Sequence, residues 1–408
     1  MKLLPVFLMA AVAAVSCGTA KKTADATPVD TETVTTVTPQ ISTADRGEVM
    51  KKPDVSTEQL DFAMQFLKTA IQSNPKGNVV LSPYSAGVAF SMLTDGSRGA
   101  TRDGLVEALC RSAFYGDIPY ADSINIVKSA NSVWLNKGFG AKEEYINTVK
   151  NGYNAQLYSA DAGDPFTVEA VNKWCSDHTE GLIKGIIDEL PPTIRMILMN
   201  ALYFKAPWFD PFKPEATCKE VFHGEEGDAE VDFMHKTSKA FQYKKVPGCT
   251  FVNLPYRNAK YAMLIAVPDD MSKVVEQMNF IEFQDVLKSL HRGEEVNLTL
   301  PKFKVEYTKV LNDIMIKLGA GLAFTPSADL SGITNEDVFV SKAIQKCVVE
   351  VNEEGSEAAA VTAILVGRTA AVRPSMPVEI RVDKPFLFAI YDTKTQSVLF
   401  AGKIAEIK

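Results

Sequence analysis

Histidine is scarce: the 408-residue chain has four, His178, His223, His235 and His291. A histidine-rich metal centre has little to draw on, and no metal site is expected. Six cysteines lie far apart, at Cys17, Cys110, Cys175, Cys218, Cys249 and Cys347. No Cys-x-x-Cys pair occurs, which excludes a zinc ribbon or a thioredoxin-type site. There is no long basic run and the net charge is −7, which argues against nucleic-acid binding. A G-x-S-x-G elbow, an H-E-x-x-H helix, a P-loop and an EF-hand loop are all missing. Gly138-Phe139-Gly140 begins like a dinucleotide fingerprint, lacks the third glycine and reads as a loop. Cys175 and His178 are three apart on a helical stretch and could share a face. A packed cysteine beside a surface histidine explains them better. Glu143 and Glu144 read as a solvated helix face. No catalytic group and no cofactor are expected.

What remains is globular. Hydrophobic residues make up 46% and charged residues 23%, enough for one large core or two ordinary ones. The first residues are an address: Lys2 precedes an apolar run from Leu3 to Val15, too short to span a bilayer comfortably. Residues 1–16 are expected to be a secretory signal. Ala14-Val15-Ser16-Cys17 is similar to a bacterial lipobox, which implies lipidation at Cys17. An ordinary cleaved signal with Cys17 nearby is the alternative. Residues 17–55 are rich in Thr, Ala, Pro and Val with no sustained period, and read as a flexible tether. After export disulfides become possible. Five cysteines remain besides Cys17, so at least one stays free, and burial is the default.

Regular structure is expected from residue 56 to 408, with no second linker and no repeat. Ser56 and Gln59 have capping-box spacing ahead of Leu60, Ala63, Leu67, Ala70 and Ile71. Ser82-Pro83 has the cap and first-turn residues of another helix. Strand-like runs follow at Ala262–Val267, Val296–Leu300, Cys347–Val351, Val378–Val382, Pro385–Tyr391 and Val398–Ile404. The last two flank a turn and read as a hairpin. Helices first and strands later point to an α+β fold.

Residues 353–373, EEGSEAAAVTAILVGRTAAVR, fit neither a linker nor a plain core strand. Read with a period of two, Ser356, Ala358, Ala360, Thr362, Ile364 and Val366 form an uncharged face. Glu357 lies on the other. Small residues at the start let such a strand slide between two others. The segment has the pattern of a two-state element, loop or central strand.

Glu353-Glu354-Gly355-Ser356-Glu357-Ala358-Ala359-Ala360 resembles the reactive-loop hinge of inhibitory serpins. Further serpin-like blocks follow in order over 56–408. They include Ser82-Pro83, Asn200–Lys205 with Trp208, Leu254-Pro255-Tyr256, Leu300–Phe303, Ala328–Gly332 and Asp383–Phe388. The resemblance implies a single serpin domain with three β-sheets, about nine helices and an exposed reactive-centre loop at about 353–377. It implies a monomeric protease inhibitor acting as a suicide substrate, with no cofactor, no nucleic acid and no membrane contact beyond the N-terminal lipid. Counting from the hinge as in the family places the scissile bond at Thr369–Ala370, with Arg368–Thr369 one residue earlier. Arg368 suits trypsin-like targets and Thr369 elastase-like ones; some cysteine proteases are further targets. Ser82, Asn200 and Trp208 match family positions that control sheet opening. Lys302 and Glu353 match a pair that bridges the top of the sheet. Gln345 stands where the family commonly has histidine, which puts a pH switch there in doubt. With the lipobox, the expected location is the bacterial outer membrane or cell surface, or the extracellular space after release. A family member that only binds, as carrier or chaperone, is the alternative; a hydrolase is disfavoured by the missing motifs.

Overall fold

The structure is a computed structural model and describes residues 34–36, 57–115, 124–179, 181, 183–356 and 376–408. Among these residues there are eight α-helices against the nine or so implied: α1 Thr57–Ser73, α2 Pro83–Gly96, α3 Gly99–Ala108, α4 Glu143–Tyr153, α5 Pro165–His178, α6 Met271–Gln277, α7 Phe280–Lys288 and α8 Asn312–Met315. The first strands in chain order are β1 Val34–Thr36, β2 Val79–Leu81, β3 Ile126–Asn136, β4 Gln156–Ala160 and β5 Met196–Pro207. Then come β6 Thr217–His223, β7 Asp228–Ser238, β8 Gln242–Val246, β9 Cys249–Pro255, β10 Tyr261–Pro268 and β11 Val296–Pro301. The last are β12 Phe303–Val310, β13 Val340–Val351, β14 Gly355–Ser356, β15 Val378–Arg381, β16 Phe386–Asp392 and β17 Val398–Ile404.

The strands form three sheets. The seven-stranded sheet runs β1-β4-β3-β5-β13-β12, with β14 added against β5. The six-stranded sheet runs β2-β17-β16-β10-β9-β8 and the four-stranded one β15-β11-β7-β6. This is the expected α+β architecture with three sheets. The β16–β17 pair is the expected hairpin. One expectation changes: the tether is not without regular structure, because Val34–Thr36 pairs antiparallel with Tyr158–Ala160 at the edge of the large sheet. Val34 is β-branched and both threonines favour strands, and an open sheet edge supplies the backbone partners that a short segment cannot supply alone.

Packing follows from the sequence pattern. Ser82 caps α2 by accepting from the Ser85 amide, and Pro83 fills the first turn. The helix has no continuous charged face, Asp95 alone being exposed, and it is accordingly buried beneath the large sheet. One core lies among α1, α2, α4 and the lower parts of β3 and β5, around Phe62, Phe66, Phe90 and Met196. A second lies between the upper half of the large sheet and the two smaller sheets, around Phe204, Trp208, Tyr256, Phe388 and Phe400. The third packs α5 and the chain after it on the outer face of the large sheet, through Trp174, Ile183 and Met199. Each fully buried large side chain contributes about 1.5–3 kcal/mol.

The five cysteines other than Cys17 are all free. Cys175, Cys249 and Cys347 are buried as expected, and burial pushes the Cys175 thiol up to about 12. His178 binds its own helix, through Nδ1 to the Trp174 carbonyl at 2.7 Å, so Cys175 and His178 form no pair. Burial as the default fails for Cys218, which is exposed on the edge strand β6.

Candidate functional site

β5 and β13 are parallel neighbours at the centre of the large sheet, but they pair only from Met196↔Val340 to Leu202↔Cys347. Above that point β5 continues to Pro207 and β13 to Val351 without mutual pairing. The chain leaving β13 turns back at Asn352, whose Oδ1 accepts from the amides of Glu354 and Gly355 at 3.1 and 3.2 Å. It then enters the opening as β14: Gly355 pairs with Pro207 and Ser356 with Ala206, antiparallel. Glycine is needed at this entry, since a Cβ on Gly355 would lie 2.2 Å from the Ala206 carbonyl oxygen.

Ser356 is buried and its hydroxyl bonds Tyr256 Oη at 2.7 Å. Tyr256 stacks on Trp208 with centroids 4.5 Å apart and 10° between planes. Trp208 Nε1 donates to the Asn352 carbonyl at 3.0 Å, and its amide donates to the Glu354 carbonyl at 2.8 Å. Together these bonds clamp the turn that precedes the loop. Beside it, Glu353 Oε1 accepts from Thr217 Oγ1 at 2.8 Å and from Lys302 Nζ at 3.0 Å. Burial opposes ionisation of Glu353, but bonds from its own amide, Thr217 and Lys302 outweigh burial and hold its carboxyl below the usual glutamate range.

A second cluster ties the sheet lower down. Asn131, Asn200 and Gln345 are cross-strand neighbours on β3, β5 and β13. Asn200 Nδ2 donates to Asn131 Oδ1, and Gln345 Nε2 donates to Asn200 Oδ1 at 3.0 Å. Gln345 also accepts from the Ser82 amide at 2.9 Å and donates to the Ser82 carbonyl at 3.0 Å. β3, β5 and β13 are thus joined by this side-chain bridge. Gln345 makes the bonds by amide chemistry alone, with no group that titrates near neutrality.

The structure therefore brings Trp208, Lys302, Glu353, Glu354, Gly355 and Ser356 together at the top of the opening, and Ser82, Asn200 and Gln345 below it. Glu357, Ala358, Ala359, Ala360, Arg368, Thr369 and Ala370 lie outside the described residues, as does Cys17. Sequence reasoning missed Thr217, Asn131 and Asn352. Tyr256 belongs to the Leu254-Pro255-Tyr256 block, which gives it no role in the sequence alone; the isolated bridge Trp208↔Tyr256 brings the two rings together.

Two results should follow. Gln345→Ala leaves the Ser82 amide and the side-chain oxygen Oδ1 of Asn200 buried without those partners, at a cost of about 2–5 kcal/mol. Urea unfolding measures this, and an unchanged midpoint contradicts the bridge. The Glu353 carboxyl is more acidic folded than unfolded, so its stabilisation is present above the unfolded value and is lost as pH falls through the folded one. The urea midpoints of the parent and Glu353→Gln should therefore converge below the ordinary glutamate range. A difference that persists unchanged into strong acid contradicts this.

Comparison with known proteins agrees with this geometry. The family model described as Serpin (serine protease inhibitor) matches residues 57–407. A serpin-like protein of Thermococcus kodakarensis is 32% identical over 88% of this chain and 87% of its own. The leukocyte elastase inhibitor of Homo sapiens is 32% identical over 86% of this chain and 99% of its own. Among solved structures, the thermophilic serpin tengpin in its native state superposes with a TM-score of 0.78 at 26% identity, covering 86% of this chain and 94% of tengpin. The chain belongs to the serpin family, and its relatives include protease inhibitors.

Proposed function

We propose that this chain is a suicide-substrate inhibitor of trypsin-like and elastase-like serine proteases, held at a bacterial surface. One observation carries the reading: the central opening between β5 and β13 already holds Gly355 and Ser356 as the first residues of a new strand. The insertion of a serpin's reactive loop is an established case of strand addition. In this chain the next inward positions are Ala358 and Ala360, small enough to follow without clashes.

The target's serine oxygen attacks the carbonyl carbon of Arg368 or Thr369. The C–N bond to the next residue breaks, the new amine takes a proton from the target's histidine, and an ester joins the loop to the protease. Residues after Ser356 then continue β14 down the sheet, carrying the acyl-enzyme with them and separating the target's catalytic groups. A thiol target would form a thioester at the same carbon. The binding-only alternative is not favoured, because the hinge has no bulky or charged residue at Ser356, Ala358 or Ala360. The partner is the target protease, the chain acts as a monomer, and neither cofactor nor nucleic acid takes part.

The same reading places a lipid on Cys17 and the domain at the outer membrane or released from it. Among the described residues no helix is long and apolar enough to cross a membrane.

Arg368→Ala tests the reactive bond. The guanidinium suits the acidic pocket of trypsin-like enzymes and has no place in an elastase-like one. Covalent complexes with trypsin should fall at least ~100-fold while those with elastase persist. Equal loss with both enzymes would mean that one bond serves both and that the assignment is wrong.

A further inference from the structure

Cys218, Glu220 and His235 stand together on one face of the four-stranded sheet. Cys218 and Glu220 are two apart on β6, and His235 follows Phe233, the cross-strand partner of Cys218. Cys218 Sγ lies 3.4 Å from Glu220 Oε1 and 3.5 Å from His235 Nε2. Glu220 Oε1 and His235 Nε2 are 2.6 Å apart. Tetrahedral zinc with one sulfur at ~2.3 Å and nitrogen and oxygen at ~2.0–2.1 Å sets sulfur about 3.5 Å from each of the other two ligands. The two sulfur distances already match. The third is a hydrogen-bond length and has to open by about 0.7 Å on these bond lengths.

The surroundings aim these atoms inward. Thr299, opposite His235 on β11, holds Nδ1 at 3.2 Å, which leaves Nε2 for the cluster. Arg381 on β15 takes the other oxygen of Glu220 and is itself held by Asp383 at 2.6 Å. That arrangement leaves Oε1 for the cluster and offsets the guanidinium charge. Outer partners of this kind fix ligand orientation in metal sites. It does not make a nucleophile–base pair of Cys218 and His235, because Glu220 shares Nε2 and Nδ1 faces a hydroxyl. Cys218 is exposed, so a water can take the fourth position.

We infer that Cys218, Glu220 and His235 form a zinc(II) site, with Cys218 bound as thiolate, its proton released to solvent, and one water completing the tetrahedron. The ligands come from two strands of the sheet whose edge strand, β15, begins directly after the expected reactive loop at about 353–377, and Glu220 also binds that strand through Arg381. The absence of Cys-x-x-Cys hid the site: its ligands are paired across a hairpin.

The probe is cobalt(II), titrated into the full chain without reductant or oxygen. One equivalent should bind with a thiolate-to-cobalt charge-transfer band, and zinc(II) should displace it. Cys218→Ser should abolish the band, His235→Ala should weaken binding at least ~100-fold, and Cys110→Ser should leave both unchanged. Zinc should also raise the melting temperature of the parent and not of Cys218→Ser. Since Cys218 is exposed, the metal-free melting temperatures of these two should agree. No band in the parent, or a band that survives in Cys218→Ser, overturns the site.

Discussion

On the proposed function, Ser356→Arg should convert the protein from inhibitor to substrate. Trypsin should cut the loop of this variant as fast as that of the parent, yet leave at least ~100-fold less covalent complex. Ser356 is the second residue of β14, buried, and bonded to Tyr256, which is itself buried against Trp208. An arginine there meets the wall formed by Tyr256 and Trp208. Burying an unpaired charge costs several kcal/mol, and each 1.4 kcal/mol is tenfold. In the uncut chain the two-residue β14 can withdraw and leave the arginine in solvent, whereas full insertion has to bury it, so the cost falls on insertion; cleavage is spared because the proposed bonds at Arg368 and Thr369 lie more than ten residues away along the chain. The acyl-enzyme then waits outside the sheet and is hydrolysed. The ratio of cleaved chain to complex on a denaturing gel measures this. A variant that still forms complex as the parent does would mean that insertion does not pass through Ser356.

Cleavage of the loop should raise the melting temperature by more than about 20 °C. Full insertion separates β5 from β13 and breaks the pairing from Met196↔Val340 to Leu202↔Cys347. The new strand bonds to both neighbours along their length, including Tyr203–Pro207 and Val348–Val351, which now lack each other. One ladder is lost and two are made, so the net gain is about one ladder. At ~1 kcal/mol per net hydrogen bond, with the apolar inward residues added, this is on the order of 10 kcal/mol. At ~2–4 °C per kcal/mol for a large domain, the shift is tens of degrees. Scanning calorimetry before and after nicking by a protease that the loop does not trap is the check. An unchanged melting temperature would show that the cut loop stays outside.

Several parts of this arrangement were legible in the sequence because a single local pattern carried them. Ser82-Pro83 announced the start of α2 through cap chemistry alone. The strands β10 and β16 are nearly continuous apolar runs, β17 is broken only by Gly402 and Lys403, and β11 alternates through Val296, Leu298 and Leu300; each is legible within a residue or two. The lower half of β13 was not, because Lys342, Gln345 and Lys346 interrupt its apolar pattern. Lys346 reaches out to the Gly185 carbonyl at 2.8 Å, and Gln345 is buried with partners from Ser82 and Asn200. Both Lys346 and Gln345 are satisfied by contacts distant in sequence, which no local reading can supply. β6 and β7 were missed for a related reason: one face of their sheet is exposed and charged, so the strands lack a clean apolar alternation. The tether strand β1 depends wholly on a partner more than a hundred residues away.

The segment from Glu353 to Ser356 stands out in the sequence by both composition and resemblance. Its seat does not. Nothing in Glu353–Ser356 says that Trp208 and Tyr256 form the wall it enters, or that Thr217 joins Lys302 on Glu353. Those contacts join β5, β6, β9 and β13, and they exist only once the sheets have been stacked.

The most direct test of the whole account is a denaturing gel of the parent chain after brief mixing with trypsin. The account predicts an SDS-stable band at the summed mass of protease and loop-cleaved chain, together with loss of trypsin activity at a fixed molar ratio. Only cleaved chain with trypsin still fully active would contradict it.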